Sequence, residues 1–532
     1  MTPVRIVHLG LGGFFRAHQA WYTGAAPDAA AWGIAAFTGR SRALADELTR
    51  QDGRYTLVVR GPERDEMFVQ RAVSEALPGA DFAAWCERLA RPQVAVVTLT
   101  VTEAGYRRDR DGGLDFDDPD VRADIAAIRA GSAHGSVRGV ARVTAPGVGP
   151  GVEPGVEPGV GPGAGPGAGQ GVVPGVGPGV VPGVGAGAGQ GVVPRVGPGV
   201  GPGAGPGVGP GAGPGVGPGA GPGVGPGVGQ GVGPVTVPGR LVAGLAARRA
   251  AGAGAIAVVS CDNLPGNGAA TARVVTDLAE AAEPALAHWI REHVSFVTTM
   301  VDRITPRTTA QDVRAVAEQT GWQDAVPVVT EPFTEWVLSG AFPAGRPEWE
   351  AAGARFVADV HPHETRKLLL LNGGHSLLAY AGSARGNETV AGAIADPVCR
   401  GWLDQWWDEA VWHVPLPAAE LAAYRAALAE RFANPRIRHT LAQIAADGSQ
   451  KIPIRVLPVL RAERAAGRMP AGAVRIVAAW ILHLRGSGAP VSDAGAGPYL
   501  DRVRSVRDVL ALLAPDLAGD ADLIAAIDKA VA

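Results

Sequence analysis

The sequence is poor in cysteine, has almost no net charge and contains no long apolar run. Three of its 532 residues are cysteines, and Cys86, Cys261 and Cys399 lie far apart and form no CxxC pair. This spacing fits a reducing compartment and excludes a disulfide framework or a structural zinc site built on cysteines. The formal net charge of −3 gives no indication of a nucleic-acid partner or of a lipid surface.

No apolar stretch reaches the roughly 20 residues that span a bilayer, and the N-terminus enters a strand pattern without a signal-peptide pattern. We therefore expect a cytoplasmic protein, monomeric or a small homo-oligomer, that acts on a small molecule. With 532 residues the chain is long enough for two or three domains with buried cores.

Glycine and proline are abundant, with 77 and 44 residues, and they concentrate in residues 146–238. This insert consists almost entirely of Gly, Pro, Val and Ala and resembles the hydrophobic repeats of elastin. Proline removes backbone donors and glycine raises the entropy cost of ordering, so the insert is predicted to be disordered. Its flanks, VTAPG and VTVPG, indicate a surface loop expanded by repeat slippage. An elastin-like assembly function is the alternative.

Outside the insert, the first half of the chain alternates strand and helix patterns. RIVHLG and VAVVTLTVT precede the helical patterns SRALADELTR and ADFAAWCERLA, and AIAVVS precedes GAATARVVTDLAEAA. This alternation predicts a Rossmann-type α/β domain, with a doubly wound parallel sheet, formed by residues 1–145 and 239–290. Long helical patterns such as ALAHWIREHVSFVTTMV predict a mainly α-helical substrate or catalytic domain over residues 291–532. The ligand site is expected in the cleft between the two domains.

The segment VRIVHLGLGGFFRAHQ contains a glycine turn between a strand pattern and a helix pattern. Gly10 and Gly12 let the backbone approach a pyrophosphate, and the following helix offers its N–H groups to the negative charge. Phe15 stands where the common fingerprint has a third glycine, so a turn without a ligand is the alternative. Arg40 and Arg42 stand where an acidic residue would bind the ribose of NAD, which leaves NADP open.

Residues 361–380, HPHETRKLLLLNGGHSLLAY, place polar side chains in a leucine-rich helix pattern. At 100° per residue, Lys367, Glu364, His375 and Asn372 fall within an arc of about 140° on one side of the helix. Burying these groups against hydrocarbon is costly, so they face solvent or a polar cleft. A buried lysine loses its charge readily and can exchange a proton with an alcohol. An ordinary exposed polar face is the alternative.

The same stretch contains residue types that bind zinc, namely His361, His363, Glu364 and His375. The HExxH spacing is absent, and Pro362 between the first two histidines disfavours a chelating pair on a regular helix. Zinc is therefore the weaker interpretation of this stretch.

The segment AVVSCDNLPGNGAA ends a strand pattern and turns into a helix pattern. Ligands bind at the carboxyl ends of parallel strands, so Asn263 is well placed to donate a hydrogen bond to a substrate oxygen. Helix capping accounts for Asn267.

Seven motifs occur in the order seen in the mannitol dehydrogenase family of polyol-specific long-chain dehydrogenases: GLGGFFRAHQAWYT, TLTVTEAGY, VSCDNLPGNG, MVDRITP, VTEPFTEWV, KLLLLNGGHS and DGSQKIPIRVLP. The resemblance covers the chain except the insert, and RFANPRIRHTLAQIAADGSQKIPIRVLP looks most like the fructuronate reductase branch. It implies a Rossmann domain, a helical C-terminal domain and zinc-independent hydride transfer between NAD, or NADP, and a secondary alcohol.

The resemblance also implies roles for single residues. Lys367 is the general base when the alcohol is oxidised, and Asn263 and Asn372 form the oxyanion site. His375 orients the substrate, and Glu364 passes the proton to solvent.

The residues expected at the cofactor are Gly10, Gly12, Gly13, Phe14, Arg40 and Asp262. Those expected at the substrate are Asp302, Arg436, His439, Lys451 and Arg455, of which the cationic ones suit the carboxylate of a sugar acid. Glu331 matches a further family motif, and Phe15 replaces a histidine of the family pattern, which puts one polar contact near the cofactor or substrate in doubt. The leading hypothesis is NAD-dependent interconversion of D-mannonate and D-fructuronate. The alternative in the same class is a mannitol 2-dehydrogenase, acting on D-mannitol and D-fructose.

Overall fold

A computed structural model describes residues 2–39, 41–133 and 233–532. Apart from its last few residues, the insert that was predicted to be disordered lies outside these residues. Arg40, which was assigned to the cofactor site, also lies outside them. Among the described residues, no helix is both long enough and apolar enough to cross a membrane.

The predicted parallel sheet is present. The strands along the chain are β1 (Val4–Leu9), β2 (Gly33–Phe37), β3 (Tyr55–Arg60), β4 (Asp65–Gln70), β5 (Val73–Leu77), β6 (Val96–Leu99), β7 (Ile256–Ser260), β8 (Val294–Asp302), β9 (Val328–Thr330), β10 (Glu335–Ser339) and β11 (Arg355–Phe356). Within the described residues, eight of them form one sheet in the order β11-β10-β8-β7-β6-β1-β2-β5. Its pairs are parallel except β8 with β10. The strands β4, β3 and β9 form a separate small sheet.

Helices cover both faces of the large sheet, as a doubly wound fold requires. Neighbouring residues of a strand point to opposite faces of the sheet, and accordingly Ile6 and Val7 of β1 belong to separate apolar clusters. The α-helices of this part are Gly13–Ala17, Gln19–Ala25, Ala43–Arg50, Phe82–Leu89, Pro119–Ala133, Val237–Ala250, Asn267–Ala282, Pro284–His293 and Ala310–Thr320.

The sheet continues beyond residue 290, where we expected the helical domain to begin. The segment read as one long helical pattern is a helix, Pro284–His293, followed directly by β8, Val294–Asp302. The helix prediction was therefore wrong for its second half. That half is rich in valine and threonine, whose branched side chains fit a pleated sheet, and a short apolar run does not distinguish a strand from a helix.

The helix after the insert begins at Val237, one residue before the expected end of the insert. The Thr236 hydroxyl accepts the Gly239 N–H at 3.0 Å and caps this helix. Asp124 accepts the backbone N–H groups of Val235, at 2.8 Å, and of Thr236, at 2.9 Å. These contacts fix the chain where it re-enters the Rossmann domain.

The rest of the chain is helical, as predicted, around one large apolar cluster. Its α-helices are His361–Arg366, Gly373–Leu377, Val390–Ala395, Pro397–Ala410, Ala418–Ala433, Leu441–Ala445, Gly448–Arg455, Leu457–Ala465, Ala471–Leu484, Gly497–Leu500, Val506–Leu513 and Ala521–Val531. The π-helical stretch Lys367–Asn372 directly follows the first of these helices, and a second one, Leu378–Gly382, directly follows Gly373–Leu377.

Candidate active site

The helix with the predicted polar face is not a regular α-helix from Lys367 to Asn372. Lys367–Asn372 is π-helical, with hydrogen bonds from residue i to i+5. In a regular helix Lys367 and Asn372 are about 140° apart, but in a π-turn residues five apart lie one above the other on the same side. The irregular turn therefore brings both side chains to one pocket, which both of them line.

This pocket lies at the carboxyl edge of the large sheet, where the neighbouring strands β7 and β8 end. Its lining contains predicted site residues from three separate segments, namely Asp262, Asn263, Glu364, Lys367 and Asn372. The structure thus brings together residues that are up to 110 positions apart, as 262 and 372 are.

Lys367 makes two short hydrogen bonds across this edge. Its Nζ donates to Asn263 Oδ1 at 2.7 Å and to the Val301 carbonyl oxygen at 2.6 Å. Burial lowers the pKa of Lys367 below its ordinary value, and the nearby charge of Arg431 acts in the same direction, whereas Asp302 opposes both. The lysine is thereby brought closer to the neutral form that can accept a proton.

Asn263 is exposed at the end of β7, and its amide oxygen is taken by Lys367. The amide NH₂ group of Asn263 is therefore left to donate to another oxygen. Asn267, four residues on, has a structural role different from the expected helix cap, which is Gly266 instead. Its amide nitrogen donates to Thr299 O and its amide oxygen accepts from Thr299 N, both at 2.9 Å.

Glu364 lies one turn before Lys367 on the same helix and lines the same pocket. Its Oε1 accepts the Gly266 N–H at 2.9 Å, and its Oε2 lies 3.9 Å from Nδ1 of the exposed His361. Burial raises the pKa of Glu364. A carboxyl group with a raised pKa between a half-buried lysine and an exposed histidine is suited to carry a proton.

His375 is buried one turn after Asn372 and is not part of the pocket lining. Its ring stacks on Phe432 with a centroid distance of 4.6 Å and meets the ring of His439 edge-on at 5.1 Å. Burial lowers its pKa well below the ordinary value, so the ring is neutral, and Nε2 is buried without a hydrogen-bond partner in the described residues.

The three histidines considered for zinc have different surroundings. His361 is exposed, His363 is buried with its Nδ1 3.7 Å from Glu420 Oε1, and His375 packs on Phe432. These side chains do not converge on one point.

Asp302, at the end of β8, belongs to a buried ion-pair network that sequence reasoning did not find. Arg431 donates to both oxygens of Asp302, at 2.8 and 3.0 Å, and to both oxygens of Glu331, at 2.9 and 2.8 Å. Tyr424 donates to Asp302 at 3.2 Å. Burial raises the pKa of Asp302, but Arg431 outweighs this effect and the net shift is downward.

Arg431 is therefore the site residue that the sequence analysis missed. The signal was present, since Asp302 and Glu331 both stand in apolar motifs and a buried carboxylate needs a cation. The sequence has 45 arginines, and only the tertiary structure reveals which of them supplies that cation.

Three of the cations expected at the substrate have protein partners. Arg436 Nη1 lies 2.8 Å from Asp65 Oδ1, Lys451 Nζ donates to the carbonyl oxygen of Ile444 at 3.2 Å, and Arg455 Nη1 donates to Ser376 Oγ at 3.2 Å. None of the three lines the pocket of Lys367. Arg455 and His439 both contact the predicted catalytic helix, Arg455 through Ser376 and His439 through its ring contact with His375.

The glycine turn after β1 has the geometry of a close backbone approach. Gly10 has φ +113°, and a Cβ there would lie 2.0 Å from the Thr100 carbonyl oxygen. Gly12 is extended, and among the described residues a Cβ there would meet only the Gly10 oxygen, at 3.5 Å, so one side of the turn is open. The helix starts at Gly13 and breaks at His18 after five residues.

Phe14 is half-buried and stacks on His18 with a centroid distance of 5.1 Å. Phe15, in contrast, is wholly buried and stacks on His8 at 3.6 Å, with the ring planes 11° apart. Burial lowers the pKa of His8 to about 3, so this pair is uncharged and packs like two aromatic rings. The concern that Phe15 removes a polar contact at the ligand is not supported, because its side chain lies in the core.

Asp262 is buried at the carboxyl end of β7, where burial raises its pKa. The Tyr106 hydroxyl donates to its Oδ2, and the Leu264 N–H donates to its Oδ1 at 3.1 Å. Arg42 is exposed and pairs with Asp46 at 2.8 Å. Asp262 lines the lysine pocket, whereas Arg42 does not.

Comparison with protein families identifies both parts of the chain. Residues 4–351 match the model of the mannitol dehydrogenase Rossmann domain, and residues 359–513 match that of the mannitol dehydrogenase C-terminal domain. The first match extends past β10, in agreement with the sheet that continues beyond residue 290.

Individual relatives cover nearly the whole chain. The D-mannonate oxidoreductase of Escherichia coli (strain K12) and the mannitol 2-dehydrogenase of Cereibacter sphaeroides are each 31% identical, over 99% of this chain and 92% of the relative. Among solved structures, the Pseudomonas fluorescens mannitol 2-dehydrogenase, a ternary complex with NAD and D-mannitol, matches with a TM-score of 0.69 and 29% identity over 100% of this chain and 91% of that one. A substrate-free D-sorbitol dehydrogenase matches with a TM-score of 0.74 and 26% identity, over 100% and 92%.

Proposed function

Because the chain belongs to the mannitol dehydrogenase family, we propose that it interconverts D-mannonate and D-fructuronate with NAD, using Lys367 as the acid–base group. The observation that carries the chemistry is the pair of hydrogen bonds from Lys367 Nζ to Asn263 Oδ1 and to Val301 O. The class of reaction is that of the family, oxidation of a CH–OH group with a nicotinamide cofactor.

The two acceptors match the neutral form of the lysine. A neutral amine has two N–H donors and one lone pair, and Asn263 Oδ1 and Val301 O each accept one N–H. The lone pair is then directed away from both acceptors, where it can take the proton of a substrate hydroxyl. In the direction of ketone reduction, the charged amine returns that proton to the oxygen.

The two asparagines are proposed to stabilise charge on the reacting oxygen. Lys367 holds the amide oxygen of Asn263, so the Asn263 NH₂ group is free to donate, and Asn372 lines the same pocket through the π-turn. Fixed donors of this kind favour an alkoxide-like transition state over the neutral alcohol. The neutral ring of His375, one turn further on, is proposed to orient a substrate hydroxyl.

Glu364 is proposed to pass the proton from Lys367 to solvent. It shares the pocket with the lysine and approaches the exposed His361 on its other side. Its raised pKa suits a group that gains and loses a proton during turnover.

NAD, when bound, supplies the hydride acceptor. The turn of Gly10, Gly12 and Gly13 fits a dinucleotide, since the backbone at Gly10 allows no side chain and Gly12 leaves open the face that a Cβ would occupy. β1 and β7 end at the same edge of one sheet, so a cofactor on the turn approaches the lysine pocket.

The proposal also specifies a sugar acid, and not an uncharged polyol, as the substrate. The mannonate and mannitol relatives are equally identical to this chain, and the motif from residue 431 to 458 favours the fructuronate reductase branch. A mannitol 2-dehydrogenase is the second candidate.

A spectrophotometric screen tests the proposal. NADH and NADPH oxidation would be followed with D-fructuronate, D-tagaturonate and D-fructose as substrates. We expect NADH to be oxidised fastest with D-fructuronate. Turnover of D-fructose alone would replace this proposal by the mannitol 2-dehydrogenase, and turnover of none of the three would reject it.

A further inference from the structure

A second, larger cavity lies beside the lysine pocket. Its volume is about 840 Å³, within the roughly 300–1,000 Å³ usual for ligand sites. Its walls are the loop after β8 with the helix Ala310–Thr320, the β3–β4 turn, and residues 435–443. The charged residues that line it are Arg60, Asp65, Arg307, Asp312, Arg436 and Arg438. We call it the arginine cavity.

Both carboxylates of the arginine cavity are already paired. Arg60 Nη2 lies 3.0 Å from Asp65 Oδ2 and 2.7 Å from Asp312 Oδ1. Arg436 Nη1 lies 2.8 Å from the other oxygen of Asp65. These two arginines therefore account for the two negative charges.

Arg307 and Arg438 have no such partner. Both are exposed at the cavity, and in the part of the chain that the structure describes neither makes an ion pair or a hydrogen bond. The cavity thus carries two positive charges that no carboxylate of the described residues neutralises. Arginine is the side chain best suited to bind a carboxylate, through two parallel N–H donors.

The cavity is adjacent to the lysine pocket along two routes. His439 lines it and meets the ring of His375, on the helix of Lys367, at 5.1 Å. Ile304, another lining residue, follows three positions after Val301, whose carbonyl oxygen accepts from Lys367. Three residues of extended chain span about 10 Å, so the cavity wall begins near the lysine.

The backbone that carries Arg438 is held in an unfavourable conformation. Arg438 has φ +48°, in the left-handed region, which is strained for a residue with a Cβ. Neighbouring hydrogen bonds hold this segment in place, since Asn434 Nδ2 donates to Arg60 O at 2.9 Å and the His439 carbonyl accepts from Val390 N at 3.0 Å. Strain of this kind persists where the surrounding structure fixes it, and it concentrates at functional sites.

We propose that the arginine cavity binds the carboxylate of a sugar-acid substrate, with Arg438 and Arg307 as the residues that select the acid over an uncharged sugar. The proposal rests on the proposed function, because it places the reacting carbon at Lys367. In D-fructuronate three hydroxylated carbons separate the carboxylate from the ketone, so the carboxylate lies at the end of the molecule that is remote from the reacting carbon. D-fructose has a hydroxymethyl group in that position, which leaves both guanidinium groups without a charged partner.

The test compares substrate preference in variants of Arg438. In Arg438→Gln the kcat/KM ratio of D-fructuronate to D-fructose should fall by about 10- to 100-fold, mainly through a higher KM for the acid, because a charge-assisted hydrogen bond is lost. Arg438→Gly should lower the ratio as well, and it should fold at least as well as the parent because glycine suits φ +48°. Arg307→Gln should act in the same direction.

Arg314→Gln is the matched control, since Arg314 is exposed on the helix Ala310–Thr320 but does not line the cavity. Its kcat/KM ratio should equal that of the parent protein. An unchanged ratio in both Arg438 variants overturns the proposal, and so does a parent enzyme that reduces D-fructose but not D-fructuronate.

A binding measurement separates this proposal from the proposed function. D-mannonate should raise the melting temperature of the parent protein, with or without NAD, more than D-mannitol does, and Arg438→Gly should abolish the difference. If no ketose is turned over but this difference is found, the proposed function fails and the anion site stands. Equal effects of the two compounds on the parent overturn the site.

Discussion

Lys367 Nζ and Asn263 Oδ1 lie 2.7 Å apart although 104 residues separate them in the sequence. One side chain comes from the π-helical turn of the C-terminal part and the other from the end of β7. This hydrogen bond has two consequences for the proposed chemistry, because it fixes the amine and it also turns the amide NH₂ of Asn263 away from the lysine.

Replacing Lys367 by alanine should lower kcat by roughly 10²–10⁴-fold, because the acid–base group is lost. NADH binding, followed by its fluorescence, should be retained, since Lys367 is not part of the glycine turn proposed to hold the dinucleotide. The chain has only three lysines, and Lys529, exposed on the last helix, provides the matched control. If Lys367→Ala is as active as Lys529→Ala, the assignment of the base is wrong.

The lowered pKa of Lys367 fixes the direction of the pH dependence. Alcohol oxidation needs the neutral amine, so its kcat should rise with pH and level off below the ordinary lysine pKa of about 10.4. Ketone reduction needs the charged amine, so its kcat should fall over the same range. Asp302→Asn removes a charge that raises the pKa of Lys367, and both profiles should move to lower pH. Profiles centred at the ordinary lysine pKa would contradict this account.

Arg431 should be far more costly to replace than an arginine in a surface ion pair. Arg431→Met leaves Asp302 and Glu331 buried without their cation, a loss of about 3–5 kcal/mol in the free energy of unfolding. Arg461, which forms an exposed pair with Asp516, should cost at most about 1 kcal/mol when changed to Met. Urea unfolding followed by tryptophan fluorescence measures both. Equal losses would show that the buried network adds nothing beyond a surface pair.

The two glycines of the turn should respond differently to alanine. Gly10→Ala places a Cβ 2.0 Å from the Thr100 carbonyl at φ +113°, and it should destabilise the protein by more than about 1 kcal/mol. Gly12→Ala has no such clash, so the melting temperature should stay unchanged while the Kd for NADH rises by about tenfold, or roughly 1.4 kcal/mol. An unchanged Kd in Gly12→Ala would place the dinucleotide elsewhere.

Deleting residues 147–232 tests the elastin-like alternative. The deletion should stop before Val235, because Asp124 binds the backbone of Val235 and Thr236 caps the following helix. We expect turnover and oligomeric state, measured by light scattering, to equal those of the full chain. Loss of self-association with normal turnover would support an assembly function for the insert.

Local patterns predicted much of the Rossmann domain but failed where two interpretations compete. The helix pattern near residue 290 contained all but the first residue of the helix Pro284–His293 and all but the last residue of β8, because apolar residues in a short run satisfy either period. The 100° wheel placed Lys367 and Asn372 at opposite ends of an arc, whereas the π-turn aligns them. The leucine-rich sequence does not reveal that the turn from Lys367 to Asn372 is wider than a turn of a regular α-helix.

The sequence by itself determined the alternating α/β order, the glycine turn and, through its ordered motifs, the family and the lysine helix. These features depend on neighbouring residues, whose spacing is written in the chain. Only the tertiary structure decided that Arg431 neutralises Asp302 and Glu331, that Phe15 packs on His8 in the core, and that Arg436 pairs with Asp65. Charge compensation and burial depend on which distant side chains meet, and local periodicity carries no information about that.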